Sequence, residues 1–426
     1  MKNIPYKTRL ASEILKDRLQ SAAAVLVQGP KWCGKTTMSE QYAAQVTYMA
    51  DPDTIKRNMM LAQTNVKKLI QGDFPHLIDE WQEAPQIWDA VRFAADHNPT
   101  MGQFILTGSA VPVDTTLMRH SGTGRISRLT MRTMSLWESK DSSGQISLEE
   151  LFSQPDSIFA DADLQLSDIA FLICRGGWPQ ATNLDKKHAL RPVYDYVDAV
   201  AEVDISRVDN TLRNSARARR LLRSLARHQA TQAANTVIRD DMKINPSDTI
   251  TEDTVASYIS ALKNIFVIED MECWNPNLRS KTAIRTSATH YFTDPSIGVA
   301  ALGIGPNDLF NDLNTMGLLF ETLAVRDLRV YAEMLDGHVY HFRDKNGLEC
   351  DSVVHLRNGH YGLVEIKLGG DTLIEEGAKA LNRLESKIDT DKMFAPSFKM
   401  ILTAVGNMAY RRNDGIYVVP IGCLKN

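Results

Sequence analysis

The stretch GPKWCGKTT occupies residues 29–37 and directly follows the apolar run AAAVLVQ at residues 22–28. The apolar run predicts a buried strand, and KTTMSEQYAAQV at residues 35–46 predicts a helix after the turn. Gly29, Gly34, Lys35 and Thr36 fill every fixed position of the pattern G-x-x-x-x-G-K-[ST]. A strand, this turn and a helix in that order predict a phosphate-binding loop.

Each residue type in this loop has a physical reason to be there. Small residues let the backbone N–H groups turn inward around phosphates, and the following helix directs its positive end at the anion. Lys35 is expected to reach the β- and γ-phosphates of ATP, and Thr36 offers a hydroxyl group to Mg²⁺. The predicted nucleotide-binding residues of the loop are Gly29, Pro30, Lys31, Trp32, Cys33, Gly34, Lys35, Thr36 and Thr37.

Two further apolar runs end in polar residues. HLIDEWQ places Asp79 at the end of a buried strand, where it could hold Mg²⁺, and Glu80 beside it could deprotonate the attacking water. FILTGSA places Thr107 and Ser109 at the end of the next strand, within reach of a phosphate or the water. The alternatives are an ordinary acidic strand end and a capped turn. This alternation of strands and helices predicts a parallel sheet with helices on both faces.

The run GTGRISRLTMRTMSLWE at residues 122–138 contains two candidates for an arginine finger, Arg125 and Arg128. Such a residue would stabilise charge in the site of a neighbouring subunit, and Arg125 is the preferred candidate. The alternative is a solvated basic strand.

The composition of the chain is that of an ordinary globular protein. With 426 residues, two to four domains are expected. The net charge of −4 gives no general signal for nucleic-acid binding, and no apolar run approaches the length of a membrane helix. The five cysteines form no metal-binding spacing, and without a signal peptide the sequence predicts a reduced, cytoplasmic protein.

Four domains are predicted along the chain. They are a P-loop ATPase domain at residues 1–140, a helical lid-like segment at 141–208, a winged-helix-like domain at 209–300 and a small α/β domain at 301–426. Within the third, residues 212–274 are typical of helix, loop, helix, helix and strand, with Thr251 as an N-cap.

TLRNSARARRLLRSLARHQ at residues 211–229 is an arginine-rich amphipathic helix without an acidic residue. At 100° per residue, Arg213, Arg217, Arg220 and Arg227 share one face, which predicts contact with the phosphate backbone of DNA. The next predicted helix begins with two acids and offers only Lys263, which argues against reading of base sequence. The alternatives are a solvated face and pairing with acids of a neighbouring subunit.

The last domain contains Glu321 on a predicted helix, Asp351 at the start of a strand, and Glu365 and Lys367 on the next strand. This order resembles the PD-(D/E)XK nuclease pattern, in which the carboxylates hold Mg²⁺ and the lysine positions water against a phosphodiester. The alternative is a structural or DNA-docking module in which arginines pair with these acids.

The sequence as a whole resembles the AAA+-like P-loop ATPases of bacteria and archaea that carry a C-terminal, nuclease-like domain of unknown function. The segments that carry the resemblance are GPKWCGKTT, LIDEWQ, ILTGSA, GR…LTMRTMSLWE, RGGWP, YVDAVAEVDISR and FRDKNGLECD…LVEIK. Two departures are LTMRTMS, where a proline-serine pair is usual, and ECD, where EVD is usual. The resemblance implies ATP binding, hydrolysis and assembly into a homo-oligomer such as a ring, with a hexamer as one candidate form.

Three hypotheses for function follow from these observations. The first is an oligomeric ATPase that binds and remodels DNA, including branched DNA. The second is an ATP-gated, Mg²⁺-dependent nuclease. The third is a nucleotide-dependent switch that binds a protein partner through the basic helix.

Overall fold

The computed structural model describes residues 6–111, 118–208, 211–244, 249–275 and 288–426. The chain forms two compact units, of which the first consists of Met1–Thr133, Ala199–Ala218 and Ser257–Val267. The second consists of Met134–Asp198, Arg219–Ala256 and Ile268–Asn426. These units differ from the predicted division at residues 140, 208 and 300, because the chain returns twice to the first unit. Parts of the predicted winged-helix domain, at 209–210, 245–248 and 276–287, lie outside the described residues.

The helices follow the predicted apolar periodicity in most of the chain. The α-helices of the described residues are α1 (Leu10–Ser21), α2 (Lys35–Glu40), α3 (Ile55–Thr64), α4 (Val66–Leu69), α5 (Gln86–His97), α6 (Leu136–Ser139), α7 (Leu148–Leu151), α8 (Leu166–Arg175), α9 (Arg191–Ala199), α10 (Ile205–Arg207), α11 (Ser215–Arg227), α12 (Asn235–Met242), α13 (Glu252–Asn264), α14 (Pro295–Leu302), α15 (Pro306–Asn311), α16 (Leu313–Met334) and α17 (Asp371–Glu385). A π-helical turn, Val200–Asp204, joins α9 to α10.

The strands are short, and most coincide with a buried apolar run of the sequence. They are β1 (Ala24–Gln28), β2 (Gln45–Tyr48), β3 (His76–Asp79), β4 (Phe104–Gly108), β5 (Ile126–Thr130), β6 (Ile146–Ser147), β7 (Ala160–Asp161), β8 (Ile268–Met271), β9 (Thr289–Phe292), β10 (Gly337–Arg343), β11 (Glu349–Leu356), β12 (Tyr361–Lys367), β13 (Phe398–Thr403), β14 (Met408–Arg411), β15 (Tyr417–Pro420) and β16 (Leu424–Lys425).

The first unit contains the predicted parallel sheet, with strand order β2-β3-β4-β1-β5. Alternate residues of its strands point to opposite faces, so that Leu26 and Leu106 enter one core cluster while Val25 and Ile105 enter another. Burial on both faces explains why the three central strands, β1, β3 and β4, have continuous apolar sequences. The carboxyl ends of β1, β3 and β4 therefore lie at one edge of the sheet.

The predicted helix at residues 35–46 was wrong in its second half. Helix α2 ends at Glu40, and Gln45–Tyr48 forms the edge strand β2, which pairs with β3. The strand is half-buried rather than fully buried, so it lacks the apolar run that marks its neighbours. Val46 and Thr47 are β-branched and favour the extended chain.

The second unit contains a mixed sheet with strand order β10-β11-β12-β13-β15-β14-β7. Strands β10, β11 and β12 are antiparallel, and β12 and β13 are parallel, with α17 between them in the chain. A core of Val353, Leu363, Leu381 and Ile401 fills the space between this sheet and α17. Strand β7 comes from the segment predicted to be lid-like, yet it pairs with β14 of this sheet.

The middle of the chain has the predicted order of elements. Helices α11, α12 and α13 precede an antiparallel pair of strands, β8 and β9. The Thr251 hydroxyl accepts a hydrogen bond from the backbone N–H of Thr254 at 3.2 Å, which confirms the predicted cap of α13.

Two absences bear on the sequence predictions. All five cysteines lie in described segments, and none forms a disulfide. Among the helices of the described segments, none combines the length and the apolar character needed to cross a membrane.

Candidate functional site

The turn at residues 29–34 connects β1 to α2, and Lys35, Thr36 and Thr37 form the first turn of that helix, so strand, turn and helix follow in the predicted order. Gly29 has φ +152°, and a Cβ atom added there would lie 2.1 Å from the carbonyl oxygen of Met131. Gly34 lies directly before α2 in the left-handed region, with φ 99°. Both glycines are therefore required by backbone conformation, and Gly29 is also required by space.

Lys35 lies against the start of this loop. Its ammonium group donates hydrogen bonds to the carbonyl oxygens of Gly29 at 2.9 Å and Pro30 at 2.8 Å. The side chain is almost fully buried, with 5% exposure. The positive charge is thus fixed on the inner side of the turn, where a phosphate held by the loop would lie.

Asp79 joins the loop to the two neighbouring strand ends. The Asp79 Oδ1 atom accepts two hydrogen bonds, one from the Thr36 hydroxyl at 2.7 Å and one from the Thr107 hydroxyl at 2.6 Å. A carboxylate and a hydroxyl in contact form the oxygen donor set that Mg²⁺ prefers. Thr36 and Asp79 therefore suit the predicted metal ion.

Glu80 follows β3 in the left-handed region, with φ 54°, which is uncommon for a residue with a side chain. Its carboxylate accepts hydrogen bonds from the Ser109 hydroxyl at 3.0 Å and from the side-chain amide of Gln82. Glu80 and Ser109 line a cavity of about 750 Å³, which also contacts Lys31, Asp204 and Arg207. The carboxylate is thereby oriented toward a space of the size that nucleotide-sized ligands occupy.

The two arginine-finger candidates occupy different environments. The Arg125 guanidinium is half-exposed, lies 2.7 Å from Asp96 and holds the pKa of that carboxyl below its usual value. Arg128 stacks over the ring of Trp88, with 5.4 Å between the guanidinium carbon and the ring centroid. The role of Arg125 stays a prediction.

Sequence reasoning missed Asp204 as a site residue. Its carboxylate lies 2.6 Å from the Lys31 ammonium of the loop, although 173 residues separate the two in the chain. The only signal was the segment YVDAVAEVDISR, which carries the family resemblance but indicates no role for its acids.

The second predicted cluster, in the C-terminal part of the chain, also comes together. Lys367 on β12 lies 2.7 Å from the Glu365 carboxylate and 3.2 Å from the Asp351 carboxylate on β11. Glu321 on α16 accepts a hydrogen bond from the Tyr291 hydroxyl at 2.6 Å. Burial and the Asp351 charge raise the pKa of Glu365 to about 8, and the same two causes raise the pKa of Glu321.

In the structure this cluster is arranged around the Lys367 ammonium group. Among the residues that the structure describes, no group of three or more His, Cys, Asp or Glu side chains could hold a metal ion. The Lys367 ammonium lies between the carboxylates of Asp351 and Glu365. The Glu321 carboxylate accepts the hydrogen bond of the Tyr291 hydroxyl. The three carboxylates are thus paired with protein groups in this arrangement, and Mg²⁺ binding by them stays a prediction.

The predicted basic face of α11 needs a correction. The helix begins at Ser215, so Arg213 precedes it and does not share its face. Arg213 is 8% exposed, donates to the carbonyl oxygen of Ile205 at 2.8 Å and stacks on Tyr258. It is a buried structural residue.

The remaining predicted arginines lie on the helix. Arg220 donates to the carbonyl oxygen of Met242 at 2.6 Å, and Arg227 pairs with Asp241 at 3.2 Å while staying 59% exposed. Arg217 lies in the first turn of α11. DNA binding by these three residues stays a prediction.

Three family models match successive parts of the chain. Residues 21–140 match an AAA domain, residues 166–308 match a domain of unknown function (DUF8612), and residues 316–424 match another (DUF4143). The first match covers the phosphate loop, Asp79 and Glu80. The chain therefore carries a P-loop ATPase domain of the AAA type.

Relatives and solved structures resemble the chain at low identity. An uncharacterized protein of Mycobacterium tuberculosis and one of Mycobacterium bovis are each 24% identical over 366 residues, which cover 84% of this chain and 73% of the relative. The Walker-type ATPase paby2304 of Pyrococcus abyssi is 15% identical, with a TM-score of 0.44 over 70% of this chain and 99% of that chain. AMPPCP-bound DnaA from Aquifex aeolicus is 13% identical, with a TM-score of 0.27 over 61% and 89%.

Proposed function

We propose that this protein binds and hydrolyses ATP at the edge of the parallel sheet formed by β1, β3 and β4. The observation that carries the proposal is the contact of Asp79 with Thr36 and Thr107, next to the Glu80–Ser109 hydrogen bond. It supports the proposal because a metal-binding pair, Thr36 and Asp79, and a general base, Glu80, would then lie side by side next to the phosphate loop.

Each residue has a role in this reaction. Thr36 and Asp79 would hold Mg²⁺, which neutralises negative charge on the phosphates when it is bound. Lys35 contributes a second, fixed positive charge to the β- and γ-phosphates. Glu80 orients the attacking water and accepts its proton, and Ser109 holds the Glu80 carboxylate in place.

The Lys35→Ala variant tests nucleotide binding. We expect ATP affinity to fall about 30-fold or more, since a charge-assisted hydrogen bond contributes about 2 kcal/mol. Fluorescence titration with a labelled ATP measures it, and Lys16→Ala, at an exposed ion pair on α1, is the matched control. Equal affinity of Lys35→Ala and the unaltered protein would place the nucleotide elsewhere.

We also propose that the protein works as a homo-oligomer, such as a ring, in which Arg125 acts on a neighbouring site. Arg125 lies directly before β5 at the edge of the sheet, and its side chain is half-exposed. An exposed guanidinium at such a position is available to a second subunit.

DNA is the proposed partner, and α11 is the surface proposed to bind it. This helix carries Arg217, Arg219, Arg220, Arg223 and Arg227 and no acidic residue. Three helices followed by the β8–β9 pair also suit a winged-helix module. The chemistry of the contact would be with phosphates, which provide affinity without sequence specificity.

A second candidate function is cleavage of DNA by the C-terminal cluster. The supporting observation is that Asp351, Glu365 and Lys367 meet on neighbouring strands, beside a cavity of about 410 Å³ that Lys379 and Arg383 also line. Cationic side chains on that wall suit a phosphodiester backbone.

One experiment separates these proposals. ATP turnover is measured with duplex, single-stranded and four-way-junction DNA at increasing salt, and the DNA is then inspected for cleavage. We expect at least one DNA form to raise turnover, with an effect that weakens steeply as salt rises. Cleavage that disappears in Asp351→Ala would support the nuclease. No response to any DNA would leave a nucleotide-dependent switch with a protein partner.

A further inference from the structure

Lys31, the third residue of the phosphate loop, has an anionic partner within its own chain. Its ammonium group lies 2.6 Å from the Asp204 carboxylate. The Lys31 side chain is 44% exposed, whereas that of Asp204 is 9% exposed. Both residues line the same 750 Å³ cavity as Glu80 and Ser109.

Asp204 is held in position by a specific local structure. It is the last residue of the π-helical turn Val200–Asp204, and turns of this kind occur frequently at functional sites. The Arg213 side chain donates to the carbonyl oxygen of Ile205, and the Arg213 backbone N–H donates to the Ser206 hydroxyl at 3.0 Å. These bonds connect the residues directly after Asp204 to Arg213, within the first unit.

Once ATP is bound, its phosphates would compete with Asp204 for the Lys31 ammonium group. A loop of this type directs its inner surface toward phosphates, and a lysine on it attracts them. The Asp204 carboxylate neutralises the same ammonium group and accepts its hydrogen bond, so Lys31 attracts phosphates less while the pair is formed. Phosphate binding and the Lys31–Asp204 ion pair therefore oppose each other.

We propose that Asp204 is a positioning residue that couples nucleotide binding to the π-helical turn. The phosphates of ATP draw Lys31 away from Asp204, and the turn Val200–Asp204 loses the contact that ties it to the loop. The inference rests on the proposed ATP site. It adds that ATP binding changes the conformation of the segment that begins at Ala199, where the chain enters the first unit.

A double-mutant cycle in the full-length protein tests the coupling, with dissociation constants for ATP as the readout. We expect Asp204→Asn to tighten ATP binding about threefold to tenfold, because the competing charge is removed. In a Lys31→Met background the same substitution should change affinity less than about twofold. Asp198→Asn, which removes a carboxylate paired with Arg219 at 2.5 Å, is the control for net charge.

Hydrogen exchange provides a second measurement that needs no variant. ATP should increase the exchange of the backbone amides of residues 200–204 in the unaltered protein. Adenosine, which lacks phosphates, should leave it unchanged.

The two levels of the proposal fail in different ways. If the unaltered protein does not bind ATP, the proposed function is wrong. If it binds ATP but Asp204→Asn leaves affinity unchanged or weaker, the coupling is wrong. Slower exchange at residues 200–204 with ATP would also overturn the coupling.

Discussion

The Glu80→Gln variant is expected to hydrolyse ATP about 100-fold more slowly than the unaltered protein, while it still binds ATP. Loss of a positioned general base typically costs this factor or more. Glutamine has nearly the same shape, and its side-chain oxygen can accept the hydrogen bond that Ser109 donates to Glu80 at 3.0 Å. The variant therefore removes the proton acceptor and keeps the geometry. Phosphate release, with nucleotide affinity determined in parallel, measures the two effects separately.

Glu83→Gln is the matched control for this experiment. Glu83 lies three residues further on, is exposed and contacts the same cavity. It receives no hydrogen bond from Ser109 and is expected to change turnover less than about twofold. Equal turnover of Glu80→Gln and the unaltered protein would mean that another group takes the proton.

The sequence predicted those parts of the ATP site that depend on local pattern. The strand before the loop, the loop itself and Asp79 at a strand end follow from residue type and spacing over a few positions. Their meeting follows from topology, since the carboxyl ends of neighbouring parallel strands share one edge of the sheet. The contact between Thr36 and Asp79 at 2.7 Å is the result.

The Lys31–Asp204 pair was not predictable in this way. Asp204 lies in a segment that reads as an amphipathic helix, and nothing in its neighbours indicates that it returns to the loop. The contact depends on how the chain re-enters the first unit at Ala199, which is a property of tertiary packing.

Arg213 shows how a helical-wheel argument depends on the helix start. The predicted face assumed a helix from residue 211, but α11 begins at Ser215. The Arg213 side chain therefore does not project from the helix with the other arginines, and its guanidinium is buried against Tyr258. For the C-terminal cluster, the residue types and their elements were predictable, whereas the ion pairs of Lys367 were not, because they depend on side-chain conformation.

The segment RGGWP, which carried part of the family resemblance, has a structural explanation in the second unit. The Gly177 backbone N–H donates to the Asp294 carboxylate at 2.9 Å, and a Cβ atom added to Gly177 would lie 2.1 Å from the carbonyl oxygen of Met134. Asp294 in turn pairs with Arg326 at 3.1 Å. The segment therefore encloses a buried charged group.

Arg326 is the centre of that group. Its guanidinium lies 3.1 Å from Asp294 and 2.7 Å from Asp327, and all three side chains are at most 1% exposed. Asp327 also accepts a hydrogen bond from the backbone N–H of Leu136 at 3.0 Å. Removing the cation takes away the guanidinium group that both buried carboxylates face.

We expect Arg326→Leu to lower the free energy of unfolding of the second unit by about 3–5 kcal/mol, the cost of breaking a buried ion pair on one side. Hydrogen exchange of the most protected backbone amides of α16 measures this change in the free energy of unfolding. Arg191→Leu is the control, since the Arg191 side chain is 79% exposed in its pair with Asp195. This substitution should lower the free energy of unfolding by less than about 1 kcal/mol. Equal effects of the two substitutions would contradict a stabilising role for the cluster.

The pH dependence of the Arg326→Leu effect distinguishes lost charge pairing from lost packing. Burial raises the pKa of Asp327 to about 6, although Arg326 opposes that rise. Without Arg326, Asp327 retains its proton to a still higher pH in the folded state than in the unfolded state, so stability falls as pH rises. The loss caused by Arg326→Leu should therefore be larger at pH 8 than at pH 5. A loss of equal size at both pH values would assign the effect to packing, because the volume left by the guanidinium does not titrate.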